Sequence, residues 1–439
     1  MPGALIPETI STRLQQIAER ARATRGGAVH TLSRFMDEAW LHEAYRLTRK
    51  NGAVGIDGET AAAYAVDLAT NLRQLEGRAK SGLYIAPPVR RAFIPKADGK
   101  LRPLGIPTFE DKVLQRAVLM LLEPIYEQEF YDFSYGFRPG RSARNALEAL
   151  NQHLYRMGGG WVLEVDIRSF FDTLNHTKLR ELLYARVTDG VVARLVSKWL
   201  HAGVMTDGRV ERSSIGTPQG GVISPLLANI YLHEVIDTWW VRDVVPRMAG
   251  ESHIIRYADD FVMIFAEERD ARRVLNVLPK RLERYGLALH EGKTRLLWHG
   301  KPRTTPVPGG RMEPPESFDF LGFTHFWTRS LRGFWIPRRK TAKDRFARGL
   351  ARIKMWLQRV MHAPVPVQAL GLGQRVRGHL QYFDAIGNRV LLWRFVKQVE
   401  RLWCKTLARR SQRGALRWDQ MKSILERHPL PRPTSLQPK

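Results

Sequence analysis

Between His253 and Ala266 the chain reads HIIRYADDFVMIFA. Two apolar runs flank an adjacent carboxylate pair, Asp259 and Asp260. Such runs on either side of a short polar break predict a β-hairpin, with strand His253–Tyr257, turn Ala258–Asp260 and strand Phe261–Ala266. Burying both strands brings two carboxylates against apolar surroundings, which is costly unless something positive neutralises them. A divalent cation answers that need, since Mg²⁺ takes hard oxygen ligands and keeps open positions for phosphates. Asp is also selected in hairpin turns for backbone reasons, and taken alone the pair fits that plainer reading better. The rest of the chain has to supply partners for it.

The bulk properties narrow the class. With 439 residues, 44% of them hydrophobic, and 12 Trp, the chain has material for two or three folded domains rather than a disordered polymer. A net charge of +27 exceeds what solubility requires and implies a large anionic partner, nucleic acid first. The charge is lopsided: residues 331–439 hold 25 Lys and Arg against 5 Asp and Glu, while the first 330 hold 45 against 38. A nearly balanced body is therefore followed by a strongly basic tail domain. No apolar run approaches a membrane span, and the N-terminus lacks a basic segment followed by an apolar core, so a cytoplasmic protein is expected. The single cysteine, Cys404, excludes an internal disulfide and a cysteine-cluster zinc site.

Read in order, residues 1–50 predict two helices, and Ala61–Leu75 another. Val89–Ile94 and Leu101–Ile106 predict a hairpin carrying Lys96, Lys100 and Arg102. That hairpin fits a grip on triphosphate or template, or an ordinary solvated turn, and composition favours the turn. Phe109–Tyr126 is a predicted helix ended by Pro124. The Gly/Pro-bounded loop SYGFRPGRS presents Arg138 and Arg141 in a form suited to backbone phosphate. Trp161–Ile167 predicts a buried strand with Asp166 at its carboxyl end, where stability gives a carboxylate no reason to be. Phe171, five residues on, fits either a sugar-pocket floor or core packing. Pro218-Gln219-Gly220-Gly221 allows close backbone approach to a ligand, with a long helix, Pro225–Trp239, behind it. Leu287–Leu297 predicts a turn and strand presenting Lys293, and Phe318–Phe323 a short aromatic strand. Basic helices follow from Lys343 to Arg427.

Asp166 on one strand and Asp259 and Asp260 on a neighbouring hairpin give three carboxylates. Two cations between them could activate a primer 3′-hydroxyl and stabilise a leaving pyrophosphate, with Asp166 and Asp259 bridging and Asp260 peripheral.

In this order and spacing, YADD, the strand-Asp-(four residues)-Phe block, PQGG-x-x-SPLLAN, the Lys293 strand and FLGF resemble the reverse transcriptases. YGFRPGRS and IPKADGKLRPLGIP narrow the resemblance to proteins encoded by bacterial group II introns, and Gly378–Leu430 looks like their maturase, or thumb, domain. The resemblance implies an α+β right-hand polymerase fold, with fingers, palm and an antiparallel palm sheet, followed by a helical thumb. The expected domains are an N-terminal helical extension (1–50), fingers and palm (51–330), a thumb/maturase domain (331–430) and a disordered tail (431–439).

It further implies RNA-directed DNA polymerase activity with two Mg²⁺ ions, Mn²⁺ being a possible substitute. The ligands would be Asp166, the Ile167 backbone carbonyl, Asp259 and Asp260. Lys96 and Arg102 would meet nucleotide phosphates, and Phe171 would be the steric gate. Gln219 and Gly220 would line the nucleotide pocket, Lys293 would lie near the carboxylates, and Phe320, Leu321 and Gly322 would form the primer grip. Expected partners are group II intron RNA or another RNA template, a DNA primer or target, and dNTPs, with splicing assistance and retromobility as roles. The Cys/His endonuclease of many relatives is not expected in this chain. A host-domesticated polymerase, or an RNA-binding maturase with a scaffold-only polymerase body, are the competing readings.

Overall fold

The computed structural model describes residues 9–95, 101–206, 209–211, 220–301, 315–410 and 416–433. Lys96, Lys100, Pro218 and Gln219 lie outside them. The chain divides into two compact units, one of Met1–Ala146 with Leu163–Leu296, the other of Leu147–Val162 with Leu297–Lys439.

The first unit is built around the helix Phe109–Tyr126, buried on every side of its middle turns and so suited to a core position. Thr108 caps it, accepting from the Asp111 N–H. The helix continues two residues past Pro124, which forfeits little so near its end. Ile10–Ala23 and Glu38–Leu47 pack on it. Trp40 is fully buried there and donates its indole N–H to the Ala117 carbonyl at 3.0 Å. The single helix expected over Ala61–Leu75 is two, Ala61–Ala65 and Leu68–Ser81. The break lets Tyr64 reach Phe109, ring centroids 5.4 Å apart, and Asn71 donates to the Tyr64 carbonyl across it.

Eleven strands are described: β1 Val89–Pro95, β2 Leu101–Ile106, β3 Gly159–Asp166, β4 Val204–Thr206, β5 Arg209–Glu211, β6 Ser252–Tyr257, β7 Asp260–Phe265, β8 Arg295–Gly300, β9 Phe318–Phe320, β10 Phe323–Arg329 and β11 Trp335–Thr341. The predicted basic hairpin is β1–β2, antiparallel, within a sheet ordered β2-β1-β4-β5. A second sheet, ordered β6-β7-β3-β8, sets the YADD hairpin beside the strand that ends in Asp166. β3 and β7 are buried nearly throughout, which accounts for their largely apolar sequences, interrupted within β3 by the buried Glu164. Behind the hairpin, the predicted long helix is α-helical only over Ser224–Leu232. It continues as π-helical turns, His233–Thr238 and Trp240–Val244, with Asp237 and Trp240 buried on them.

In the second unit β11-β10-β9 form an antiparallel sheet. The aromatic strand expected over Phe318–Phe323 is instead a hairpin: Phe320 pairs with Phe323 and the intervening Leu321 and Gly322 both have positive φ. Four helices follow, Lys343–Arg359, Val365–Phe383, Arg389–Ala408 and Trp418–Arg427. Their core holds Trp403, whose indole donates to Gln368 Oε1 at 2.8 Å, and His379 stacked on Phe395. Buried Asn388 accepts from the Thr341 N–H at 2.9 Å and donates to Thr341 Oγ1 at 2.7 Å, fixing the end of β11.

Candidate active site

β3 brings Asp166 to a half-exposed position at its carboxyl end. The strand terminus is clamped from one side: the His290 N–H donates to the Asp166 carbonyl and the Arg168 N–H to the Ala288 carbonyl, both at 2.8 Å. The same segment turns on the Lys293 N–H, which donates to the His290 carbonyl, and Lys293 Nζ lies 2.9 Å from Asp166 Oδ2. Ile167, which follows, is buried and bridges Leu289. Phe170 enters the core, and its ring contacts that of the half-buried Phe171 at 5.2 Å.

On the hairpin, Tyr257 pairs with Asp260, so the turn contains Ala258 and Asp259 alone and Asp260 begins β7. Such a two-residue turn needs a positive φ at its first position, and Ala258 supplies it at 59°. For a residue with a Cβ that conformation costs about 1–2 kcal/mol, so the surroundings must impose it. Gly136 does so in part: a Cβ there would stand 2.3 Å from the Ala258 nitrogen, so the 133–137 backbone can lie directly on the turn. The Tyr135 N–H donates to the Arg256 carbonyl and the Arg256 N–H to the Phe133 carbonyl.

The larger constraint is Arg256, fully buried one residue before Tyr257. Its Nε donates to Asp237 Oδ1 at 2.7 Å and its Nη2 to Ser134 Oγ at 2.7 Å. Nη1 donates to Asn229 Oδ1 at 3.0 Å and to the Ala258 carbonyl at 3.1 Å. Asn229 in turn donates to the Gly136 carbonyl at 2.7 Å. Burial alone would raise the Asp237 pKa, but the charge of Arg256 and the hydrogen bonds it donates outweigh it, with His233 Nδ1 3.7 Å away, and hold Asp237 ionised.

Asp259 has the opposite balance. Burial pushes its pKa up and the charge of Asp166 pushes it further, against a backbone hydrogen bond and the cations Arg102 and Arg256. Two carboxylates that repel across a partly buried gap form a hard-oxygen donor pair whose charge a divalent cation would relieve, so the residues fit such an ion. Asp260 is exposed, and among the described residues no three His, Cys, Asp or Glu side chains form a group that could hold a metal.

The glycine loop approaches from another side. Gly220 has φ 120°, and a Cβ there would sit 2.6 Å from the Gly105 carbonyl oxygen on β2. Val222 N–H donates to Gln115 Oε1 at 2.7 Å, and Gln115 Nε2 to Asp111 Oδ2 at 3.0 Å. Asp111 also accepts from the Tyr84 hydroxyl and the Trp199 indole, at 2.7 and 2.6 Å. Burial raises its pKa to about 6 against those hydrogen bonds.

Arg138 is turned inward. Its guanidinium pairs with Glu127 at 2.9 Å and donates to the Tyr131 and Ser134 carbonyls, so it holds the loop together rather than facing solvent. Arg141 is more exposed and pairs with Asp132. In the second unit, Phe320 is buried and the Leu321 carbonyl accepts from the Tyr382 hydroxyl at 3.0 Å. Sequence reasoning passed over Arg256, Asp237, Asn229, Gly136, Gln115 and Asp111. One signal was available: a lone Arg inside an apolar strand and a lone Asp inside an apolar helix are each costly unless they meet.

The reverse transcriptase (RNA-dependent DNA polymerase) family profile matches residues 94–325. Protein YkfC of Escherichia coli K12 is 37% identical over 289 residues, 58% of this chain and 75% of that protein. Group II intron-encoded protein LtrA of Lactococcus lactis is 42% identical over 182 residues, 41% of this chain and 30% of that protein. The mitochondrial nuclear intron maturase 4 of Arabidopsis thaliana is 25% identical over 206 residues, 46% of this chain and 23% of that protein. The chain thus spans three quarters of the first relative and under a third of the other two. Its matched region holds β2, the YADD hairpin and both opposed carboxylates, and the chain belongs to the reverse transcriptase family.

Proposed function

We propose that the chain extends a DNA primer on an RNA template, with Asp166 and Asp259 as the principal metal ligands, assisted by Asp260 and the Ile167 carbonyl. The observation that carries this reading is the opposition of Asp166 and Asp259, the second destabilised as an anion by burial and by the first. When bound, Mg²⁺ would lower the pKa of the primer 3′-hydroxyl and stabilise charge on the departing pyrophosphate. The protein's own part is positioning. Lys293 holds Asp166 at its rotamer, and Arg102 adds positive charge where the nucleotide phosphates would arrive. Gly220, with Gln219, would border the nucleotide, and Phe171 would exclude a ribose 2′-hydroxyl. Lys96 would contact the triphosphate, and Phe320–Gly322 the primer.

The names of two of the relatives support a maturase role. By that analogy residues 1–50 extend the fingers, 51–330 form fingers and palm, and 331–430 a basic thumb that binds group II intron RNA, assists its splicing and supports its mobility. The basic tail region, 25 cations against 5 anions, suits it. The test is dNTP incorporation on an oligo(dT)-primed RNA template with Mg²⁺, wild type beside Asp259→Ala. Incorporation should fall by about a hundredfold or more, and an unchanged rate would remove the carboxylate assignment.

A further inference from the structure

The first unit contains a second concave site that shares no residue with the carboxylates. It lies between the π-helical turns Trp240–Val244 and the helix Glu268–Glu283, with a cavity of about 420 Å³. Its floor is apolar: Trp239 and Val244 are nearly buried, and Val277 is half exposed. Its rim is cationic: Arg247, Arg273, Lys280, Arg281 and Arg284 line it against one acid, Asp243. The helix dipole accounts for cations in the last turn, Lys280, Arg281 and Arg284, but not for Arg247 or Arg273.

The cations divide by what they already hold. Arg281 donates to the Val235 and Glu234 carbonyls at 3.0 and 2.8 Å, clamping its helix to the π-helical turns. Arg247 donates to the Asp243 carbonyl and lies 3.7 Å from its carboxylate, and Arg273 donates to the Arg247 carbonyl at 3.2 Å with the Asp270 carboxylate at 3.9 Å. Lys280 and Arg284 are exposed and have no partner among the described residues. Arg273, Lys280 and Arg284 follow one another along the helix at about 10 Å and about 6 Å, a row that suits a linear polyanion better than one carboxylate. An apolar floor in the middle of such a row suits a base face, as in sites that hold unpaired strands. Consecutive π-helical turns are rare and concentrate at functional sites.

We propose that this cavity binds single-stranded RNA, seating a base over Val277 and Val244 while Arg273, Lys280 and Arg284 meet the flanking phosphates. The proposal rests on the reading of the chain as an RNA-copying enzyme, and assigns it an RNA contact away from the carboxylates. An acidic protein segment would meet the same rim and is the alternative that the test must separate.

The probe is a 15-nucleotide RNA containing 4-thiouridine, photo-crosslinked to the full chain, with peptide mapping of the adducts and anisotropy measured across a salt series. Wild type should crosslink within 239–248 or 273–284. Lys280→Glu/Arg284→Glu should lose those adducts, weaken binding about tenfold, and flatten the salt slope by roughly 1.4, or 0.7 for each lost phosphate contact. The charge-matched control Arg272→Glu/Lys178→Glu, on surface residues outside the cavity, should keep the adducts and lose much less affinity. Primer extension on a pre-annealed template should be unchanged in the Lys280/Arg284 variant. No wild-type adduct in either segment would overturn the proposal, as would equal losses in both variants. So would displacement of the adducts by polyglutamate as readily as by unlabelled RNA of equal charge. Absent primer extension in wild type with the adducts present would instead remove the polymerase reading and leave the cavity assignment.

Discussion

Arg256 and Asp237, nineteen residues apart in the chain and both with side chains fully excluded from solvent, form a two-point ion pair directly behind the turn that carries Asp259. Arg256 also donates to the carbonyl of Ala258, so the pair fixes a strained turn as well as neutralising itself. Removing one partner leaves a buried charge. Arg256→Ala should cost about 3–5 kcal/mol in urea denaturation. The double variant Arg256→Met/Asp237→Leu should recover most of that stability but not the rate of primer extension, because the bonds to Ala258 and Ser134 stay lost. Wild-type turnover in the folded double variant would show that the network does not position the turn.

Asp259 should carry a stability cost as well as activity. Its folded pKa lies above the ordinary carboxylate value, so above pH 3.8 the unfolded chain releases this proton first. Stability of the metal-free protein should therefore fall, relative to Asp259→Asn, as pH rises through that window, and the gap should then stay constant. At pH 7 the variant should be more stable and inactive, and it should lose stabilisation by added Mg²⁺. Thermal unfolding with EDTA and with Mg²⁺ checks each part.

Lys293 neutralises Asp166 at 2.9 Å. With Lys293→Met, Asp166 faces Asp259 without that cation, so the pair should attract Mg²⁺ more strongly. Titrating Mg²⁺ against initial rate should give a lower half-saturating concentration, with a raised KM for dNTP. A higher Mg²⁺ requirement would contradict the electrostatic account.

Gly136 is required by contact rather than by its own dihedral. Gly136→Ala puts a methyl within 2.3 Å of the Ala258 nitrogen, against backbone that cannot yield. Activity should fall by more than tenfold, while an alanine at Gly77, where a Cβ meets nothing within 4 Å and the backbone is helical, should leave the rate unchanged.

The Gln115 side chain joins the glycine loop to the buried carboxylate of Asp111. Gln115→Met leaves the Val222 N–H without its acceptor, at a cost of about 1–3 kcal/mol. Steady-state kinetics should register it chiefly as a higher KM for dNTP.

Local sequence determined the elements wherever one face is plainly apolar. The hairpin at Tyr257–Asp260 and the strand ending in Asp166 follow from apolar runs that fold inward on both faces, and the basic helices from Lys343 onward from side-chain period. The pattern misled where a local break serves a distant contact. The helix over Ala61–Leu75 divides so that Tyr64 can reach Phe109, and the Phe318–Phe323 strand folds back on itself at Leu321 and Gly322. The helix expected to Trp239 widens into π turns on which Asp237 is buried against Arg256.

Asp166 could be singled out from sequence because an acid at the end of an apolar strand has no stabilising role of its own, and Asp259, whose turn accepts Asp for backbone reasons, only by the order of the motifs around it. Their environment could not. That Arg256 reaches Asp237, that Gly136 lies on Ala258, and that Asp166 raises the pKa of Asp259 are relations between segments brought together only by folding. Electrostatic and steric forces act through space at a few ångströms, and a sequence records which groups exist but not which of them will be that close.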